Sequence, residues 1–135
     1  MANTQLDRIT SGVPKVIDPK THAVLDYMTA GTFLAVGFAW MRSHPRASAL
    51  AFINGAAVLG ASMLTDYPGG VWRRMSFEMH GLMDVAQAGL AAAGPAMMGF
   101  AGDAEAQFFH GQAAVEAGVI ASTDFSASPA RALAA

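Results

Sequence analysis

The sequence predicts an all-α membrane protein with four transmembrane helices running up, down, up, down. It reads as a tandem duplication of one two-helix hairpin about a pseudo-twofold axis along the membrane normal. Three observations carry that expectation. The chain of 135 residues is 53% hydrophobic and only 13% charged, where soluble domains average roughly 25% charged. Uncharged stretches run from Tyr27 to Met41, from Ala47 to Thr65 and from Val85 to Gly102, whereas the helices of a soluble bundle carry a polar face for water. The chain also aligns with itself without a gap, bringing His22–Tyr67 onto His80–Phe125.

In chain order, residues 1–20 form a polar N-terminal segment with Pro14 and Pro19 and no apolar run, unlike a secretory signal peptide. Helices are expected at about 22–41, 47–65, 78–100 and 105–123, each near the length that crosses ~30 Å of hydrocarbon at ~1.5 Å per residue. They make up a transmembrane domain over 21–125, with repeat 1 at about 22–67 and repeat 2 at about 80–125. A short Ala, Ser and Pro tail follows over 126–135. The connections Arg42–Arg46, Asp66–Phe77 and Ala101–Ala104 are short, which makes neighbouring helices antiparallel.

Small residues four apart, such as Ala51 with Gly55 and Gly89 with Ala93, suit close helix packing in lipid. An Ala-rich soluble bundle is the competing reading. Arg8, Lys15, Lys20, Arg73, Arg74 and Arg131 fall on the side of the termini, against Arg42 and Arg46 on the other. The positive-inside rule then makes both termini cytoplasmic, and the expected location is a bacterial inner membrane. Trp40, Trp72, Tyr27 and Tyr67 lie near span ends, as an aromatic belt does.

A net charge of −2 with scattered basic residues excludes a broad nucleic-acid surface. The absence of Cys excludes disulfides, thiolate metal sites and Cys nucleophiles. No phosphate loop, nucleophile elbow or metalloprotease motif occurs, so no catalytic residue and no enzyme activity is expected.

Nine of 46 aligned positions in the repeat are identical, and they are chemically selective. They include His22 with His80, Asp26 with Asp84, Gly31 with Gly89, Gly60 with Gly118, Thr65 with Thr123 and Asp66 with Asp124. Each repeat holds two spans, so both insert the same way up. His22, Asp26, Asp66, His80, Asp84 and Asp124 are therefore expected at one membrane face.

The run Gly94-Pro95-Ala96-Met97-Met98-Gly99-Phe100-Ala101-Gly102-Asp103, followed by His110-Gly111 and Gly118, resembles the SPW-repeat membrane proteins. Their two-helix repeat carries Ser-Pro-Trp before a Gly-Phe turn. Gly94 stands for the Ser and Ala96 for the Trp, and the first hairpin lacks the motif. The resemblance implies a two-helix transmembrane repeat and carries no activity with it.

His22 and Asp26 are spaced i to i+4, and His80 with Asp84 repeats the spacing, which puts each pair on one helical face. Two such faces meeting, with Asp66 and Asp124 nearby, could hold a divalent metal or pass protons. The same groups could equally form an interfacial hydrogen-bond network. Glu116, whose repeat partner is Val58, falls mid-span, where a carboxylate must be neutral or paired. Asn54 or Gln112 are the expected partners, with proton transfer or cation binding as the sharper alternative. His110, near the opposite face, reads as a polar anchor or as a ligand to haem or pigment.

The leading functional expectation is a noncatalytic accessory subunit, packing against itself or against larger chains of a respiratory or photosynthetic complex in the bilayer. The alternative is a metal-binding or proton-conducting four-helix protein using the His22, Asp26, His80 and Asp84 cluster. The sequence names no cofactor.

Overall fold

The computed structural model describes residues 4–127; the rest of the expected tail, with Arg131, lies outside the described residues. The described chain is all helical: α1 (Gln5–Ile9), α2 (Pro19–Trp40), α3 (Pro45–Leu64), α4 (Phe77–Met97) and α5 (Ala106–Ser122).

Local chemistry sets each boundary. Asp18 caps α2 by accepting from the Thr21 backbone N–H at 2.7 Å, and Pro19 occupies the first turn, where its missing N–H costs nothing. The helix therefore starts before the expected residue 22. That cap holds the Asp18 carboxyl below the usual carboxylate range, because the Thr21 N–H favours the charged form. Ser76 caps α4 in the same way through the Met79 N–H.

At its other end α4 closes on Gly99, which adopts a φ of 74°. The Phe100 N–H reaches the Pro95 carbonyl at 2.8 Å and the Gly99 N–H reaches Ala96 at 3.2 Å, a Schellman closure with Phe100 buried beneath it. This is the Gly-Phe turn of the sequence, and it ends α4 at Met97 rather than residue 100.

The polar N-terminal segment, residues 1–20, contains α1, which a reciprocal capping box between Thr4 and Asp7 nucleates. Its Leu6 is 2% exposed and lies with Phe125 directly over Gly81 of α4.

The hairpins α2–α3 and α4–α5 pack together through α3 and α4. One apolar cluster, with Phe33, Leu50, Ala51, Ala91, Phe100 and Phe109, fills the end that carries the short turns. A second, with Leu6, Ala23, Tyr67, Phe77, Ile120 and Phe125, fills the other end. Large apolar side chains remain exposed on every long helix, including Val24, Met28 and Phe38 on α2, Ile53 on α3, Met79 and Met83 on α4, and Val115 on α5.

Two helices, α2 and α3, are long and apolar enough to cross a membrane. α4 places His80, Asp84 and Gln87 in its first half, and α5 has 17 residues.

The duplication is visible in backbone pairing. Ile17 bridges to Thr123, and Met75, its repeat counterpart, bridges to Thr65. The Asp124 N–H donates to the Ile17 carbonyl at 3.0 Å, and the Asp66 N–H donates to the Met75 carbonyl at 2.8 Å. Each repeat thus clasps the other, and the internal symmetry reaches upstream of His22 and His80 to the caps Asp18 and Ser76.

Candidate metal centre

The two clasps fix the C-terminal ends of α3 and α5 against the N-terminal turns of α4 and α2, and that crossing builds the site. His22 and Asp26 share one face of α2, while His80 and Asp84 share one face of α4. The faces converge, so that one donor atom from each residue lies within 4.8 Å of every other.

Four nitrogen-to-oxygen edges close a ring. His22 Nε2 is 3.3 Å from Asp26 Oδ1 and 3.1 Å from Asp84 Oδ2. His80 Nε2 is 3.0 Å from Asp26 Oδ2 and 3.2 Å from Asp84 Oδ2. The side chains are 1% and 0% exposed for the histidines, and 10% and 13% for Asp26 and Asp84, so water screens the site weakly.

Hydrogen bonding assigns the histidine tautomers. Thr65 Oγ1 donates to the Ala61 carbonyl at 2.6 Å, and Thr123 Oγ1 donates to the Val119 carbonyl at 2.6 Å. Each hydroxyl has one proton, and it is committed. The bonds from His80 Nδ1 to Thr65 Oγ1 at 2.7 Å and from His22 Nδ1 to Thr123 Oγ1 at 2.8 Å must therefore run from ring N–H to hydroxyl oxygen. Both Nε2 atoms face the centre of the ring. This is how metal-ligating histidines are oriented by their surroundings.

The ring edges suit a bound ion as well as hydrogen bonds, of which His22 Nε2 to Asp84 Oδ2 at 3.1 Å is one. Charge-assisted N–H···O bonds are typically about 2.7–2.9 Å, shorter than the ring edges. Donors bonded to one ion at ~2.0–2.1 Å stand roughly 2.9–3.3 Å apart across angles from 90° to tetrahedral, which spans the edges found. His80 Nε2, though 3.0 Å from Asp26, is buried without a hydrogen-bond partner among the described residues. Two neutral imidazoles and two carboxylates also neutralise a divalent ion, which meets the requirement that buried charge be balanced.

The two halves differ where their sequences differ. Tyr67 donates its hydroxyl to Asp26 Oδ2 at 2.8 Å, while its counterpart Phe125 has no hydroxyl to offer Asp84. Tyr67 is 0% exposed, so the aromatic-belt expectation for it is corrected: its polar tip is satisfied by Asp26, not by headgroups. Burial, then the Asp26 charge, pushes the Tyr67 hydroxyl well above the ordinary tyrosine range, keeping it a donor. Aromatic rings roof the site: His22 meets Phe77 and Phe125 edge-on at 5.3 and 5.4 Å, and His80 meets Tyr67 at 5.3 Å.

Asp66 and Asp124, expected in the cluster, stay outside it. Their backbone N–H groups form the clasps, Asp66 is exposed, and the Asp124 carboxylate accepts from Ser126. The extended conformation at Thr65 and Thr123 breaks the helical periodicity and turns the threonines inward instead. Their repeat identity was legible in the sequence, but their role as orienters depends on the clasp.

Glu116 is 8% exposed, with Oε2 buried and without a partner among the described residues. Its partner is Gln87, not the expected Asn54 or Gln112: Gln87 Nε2 lies 3.3 Å from Glu116 Oε1 and 2.8 Å from Asn54 Oδ1, linking the two. His110 is exposed on α5 and stands apart from the cluster. His44, in the far turn, pairs with Glu105 at 3.1 Å.

Comparison with family models, curated proteins and solved structures finds no match.

Proposed function

We propose that this chain is a four-helix integral membrane protein that holds one divalent first-row transition-metal ion between His22, Asp26, His80 and Asp84. The observation that carries the reading is the pair of threonine-oriented histidines whose Nε2 atoms meet two carboxylates at ligand spacing, one of them without a hydrogen-bond partner among the described residues. Imidazole nitrogen with carboxylate oxygen suits zinc or iron, whereas magnesium and calcium favour all-oxygen shells.

Apolar side chains exposed around all four long helices support a lipid-facing exterior. α4, with 21 residues, is about 31 Å long, and α5, with 17, about 25 Å. Both suit a bilayer that thins or is snorkelled at one edge. The basic residues Arg8, Lys15, Lys20, Arg73 and Arg74 lie at the metal end, so the site sits just inside the cytoplasmic face. The same apolar exterior motivates packing against other membrane subunits, but lipid alone accounts for it.

Elemental analysis of protein purified from membranes in mild detergent is expected to give about one metal ion per chain, lost together with high-affinity rebinding in the His22→Ala, His80→Ala double variant. A purified wild type that holds no metal and takes up none from micromolar zinc or iron would overturn the reading.

A further inference from the structure

A cavity of about 30 Å³ adjoins the four-residue ring, large enough for one or two waters. It lies in the groove between α2 and α5. Side chains bridge this groove at both ends: His22 to Thr123 near the ring, and Phe33 against Phe108 at the far end. Between those bridges the two helices scarcely approach.

The cavity is polar at its two ends. His22, Asp26 and Asp84 form one end, and Gln87 with Glu116 forms the other. His80 is the one ring member that does not line it, because Tyr67 and Phe77 pack on that side. The ring is thus closed towards His80 and open towards Glu116. Glu116 brings to the cavity a buried carboxylate oxygen that has no partner among the described residues. A buried acceptor of that kind marks a place for a ligand or ordered water.

The repeats are unequal here. Val58 is the repeat counterpart of Glu116, and both line the same space. On the matching side of the bundle, between α3 and α4, Leu50 packs into Gly94 and Asn54 pairs with Gln87.

Resting on the metal reading, we infer that the ion keeps one exchangeable coordination position pointing into this cavity. It takes a neutral or anionic ligand of one or two heavy atoms, such as water or hydroxide, beside Glu116. A closed four-ligand shell marks a structural ion, while an open position marks one that meets exogenous ligands. The cavity volume excludes larger organic ligands, and the Glu116 carboxyl is placed to hydrogen-bond whatever occupies the position.

Nitric oxide on the anaerobic, ferrous form of the detergent-solubilised protein tests this, because a diatomic ligand fits the space and a ferrous nitrosyl gives a distinctive spin-three-halves EPR signal. The wild type is expected to show that signal. Val58→Leu, which fills the cavity without touching a donor, is expected to keep its iron and lose most of the signal. Glu116→Gln, a near-isosteric change, is expected to keep the signal with an altered line shape, since the neighbouring group changes from carboxyl to amide. Iron bound without a nitrosyl signal overturns the open position and leaves the metal reading standing. A full signal in iron-loaded Val58→Leu, or an unchanged line shape in Glu116→Gln, overturns its placement in the cavity. Failure of the wild type to bind iron or any other divalent ion overturns both readings.

Discussion

Thr65 and Thr123 touch no metal in this account, yet they decide what the histidines can do. Each spends its hydroxyl proton on its own helix, and so compels the ring to donate from Nδ1 and to present Nε2. Replacing either by Val keeps the shape and removes the acceptor. Zinc affinity measured by chelator competition is expected to fall by about 10–100-fold per substitution, the usual cost of losing a partner that orients a ligand. Replacement by Ser, which keeps the hydroxyl, is expected to recover most of it; equal loss in the Val and Ser variants would show that packing, not hydrogen bonding, is at work.

Tyr67 gives a complementary test. Tyr67→Phe makes the halves alike at this position and leaves Asp26 Oδ2 short of a donor. A buried acceptor left unpaired costs about 1–3 kcal/mol, readable as lower thermal stability of the metal-free protein. Because the folded-state pKa of Tyr67 is raised, its contribution is full below the ordinary tyrosine value and is lost as pH climbs above it. Stability that rises across that alkaline range would contradict the placement.

At the scale of elements, the clasps carry the architecture. Gly70 is packed so that a Cβ would stand 1.7 Å from the Thr65 carbonyl oxygen, and the connection from α3 to α4 can close only over a glycine. Gly70→Ala is expected to displace Thr65 and weaken metal binding at a distance from every donor; wild-type affinity in that variant would show that the loop does not set the position of Thr65. The caps Asp18 and Ser76 hold the first turns of α2 and α4, where the histidines sit. Alanine at either is expected to cost about 1 kcal/mol in unfolding. The Asp18 share falls away in acid: with its pKa lowered in the fold, its support is present above the ordinary carboxylate range and lost as pH drops through the lowered value.

These elements also show what a sequence exposes. The spacing of His22 with Asp26 and of His80 with Asp84, once doubled by the repeat, was enough to place four groups on two faces, since helical periodicity is regular. Asp66 and Asp124 lie beyond the last helical turn, where an extended bridge replaces that periodicity, and the inward position passes to the preceding threonine. The short α1 was signalled only by Thr4 and Asp7 at capping-box spacing, a signal too brief to outweigh the polarity of the segment. Gln87 was missed as the partner of Glu116 because its relation to α5 is set by tertiary packing.

At the scale of the whole molecule, the duplication concentrates polarity on the pseudo-twofold axis at one end and leaves the other end filled by Phe33, Leu50, Phe100 and Phe109. Polar groups run from the four-residue ring to Gln87, Glu116 and Asn54 and stop at that apolar plug. A polar path that ends inside the bundle suits binding and local ligand exchange better than conduction across it. Reconstituted in liposomes, the protein is expected to pass no divalent cation above the rate of empty vesicles; rapid flux would mean that the plug opens. The central claim is tested most directly by X-ray absorption at the metal edge of the zinc-loaded protein. The expected result is a shell of nitrogen and oxygen at ~2.0–2.1 Å with the outer-shell scattering of two imidazoles. A shell without imidazole scattering, as for a solvated ion, would contradict it.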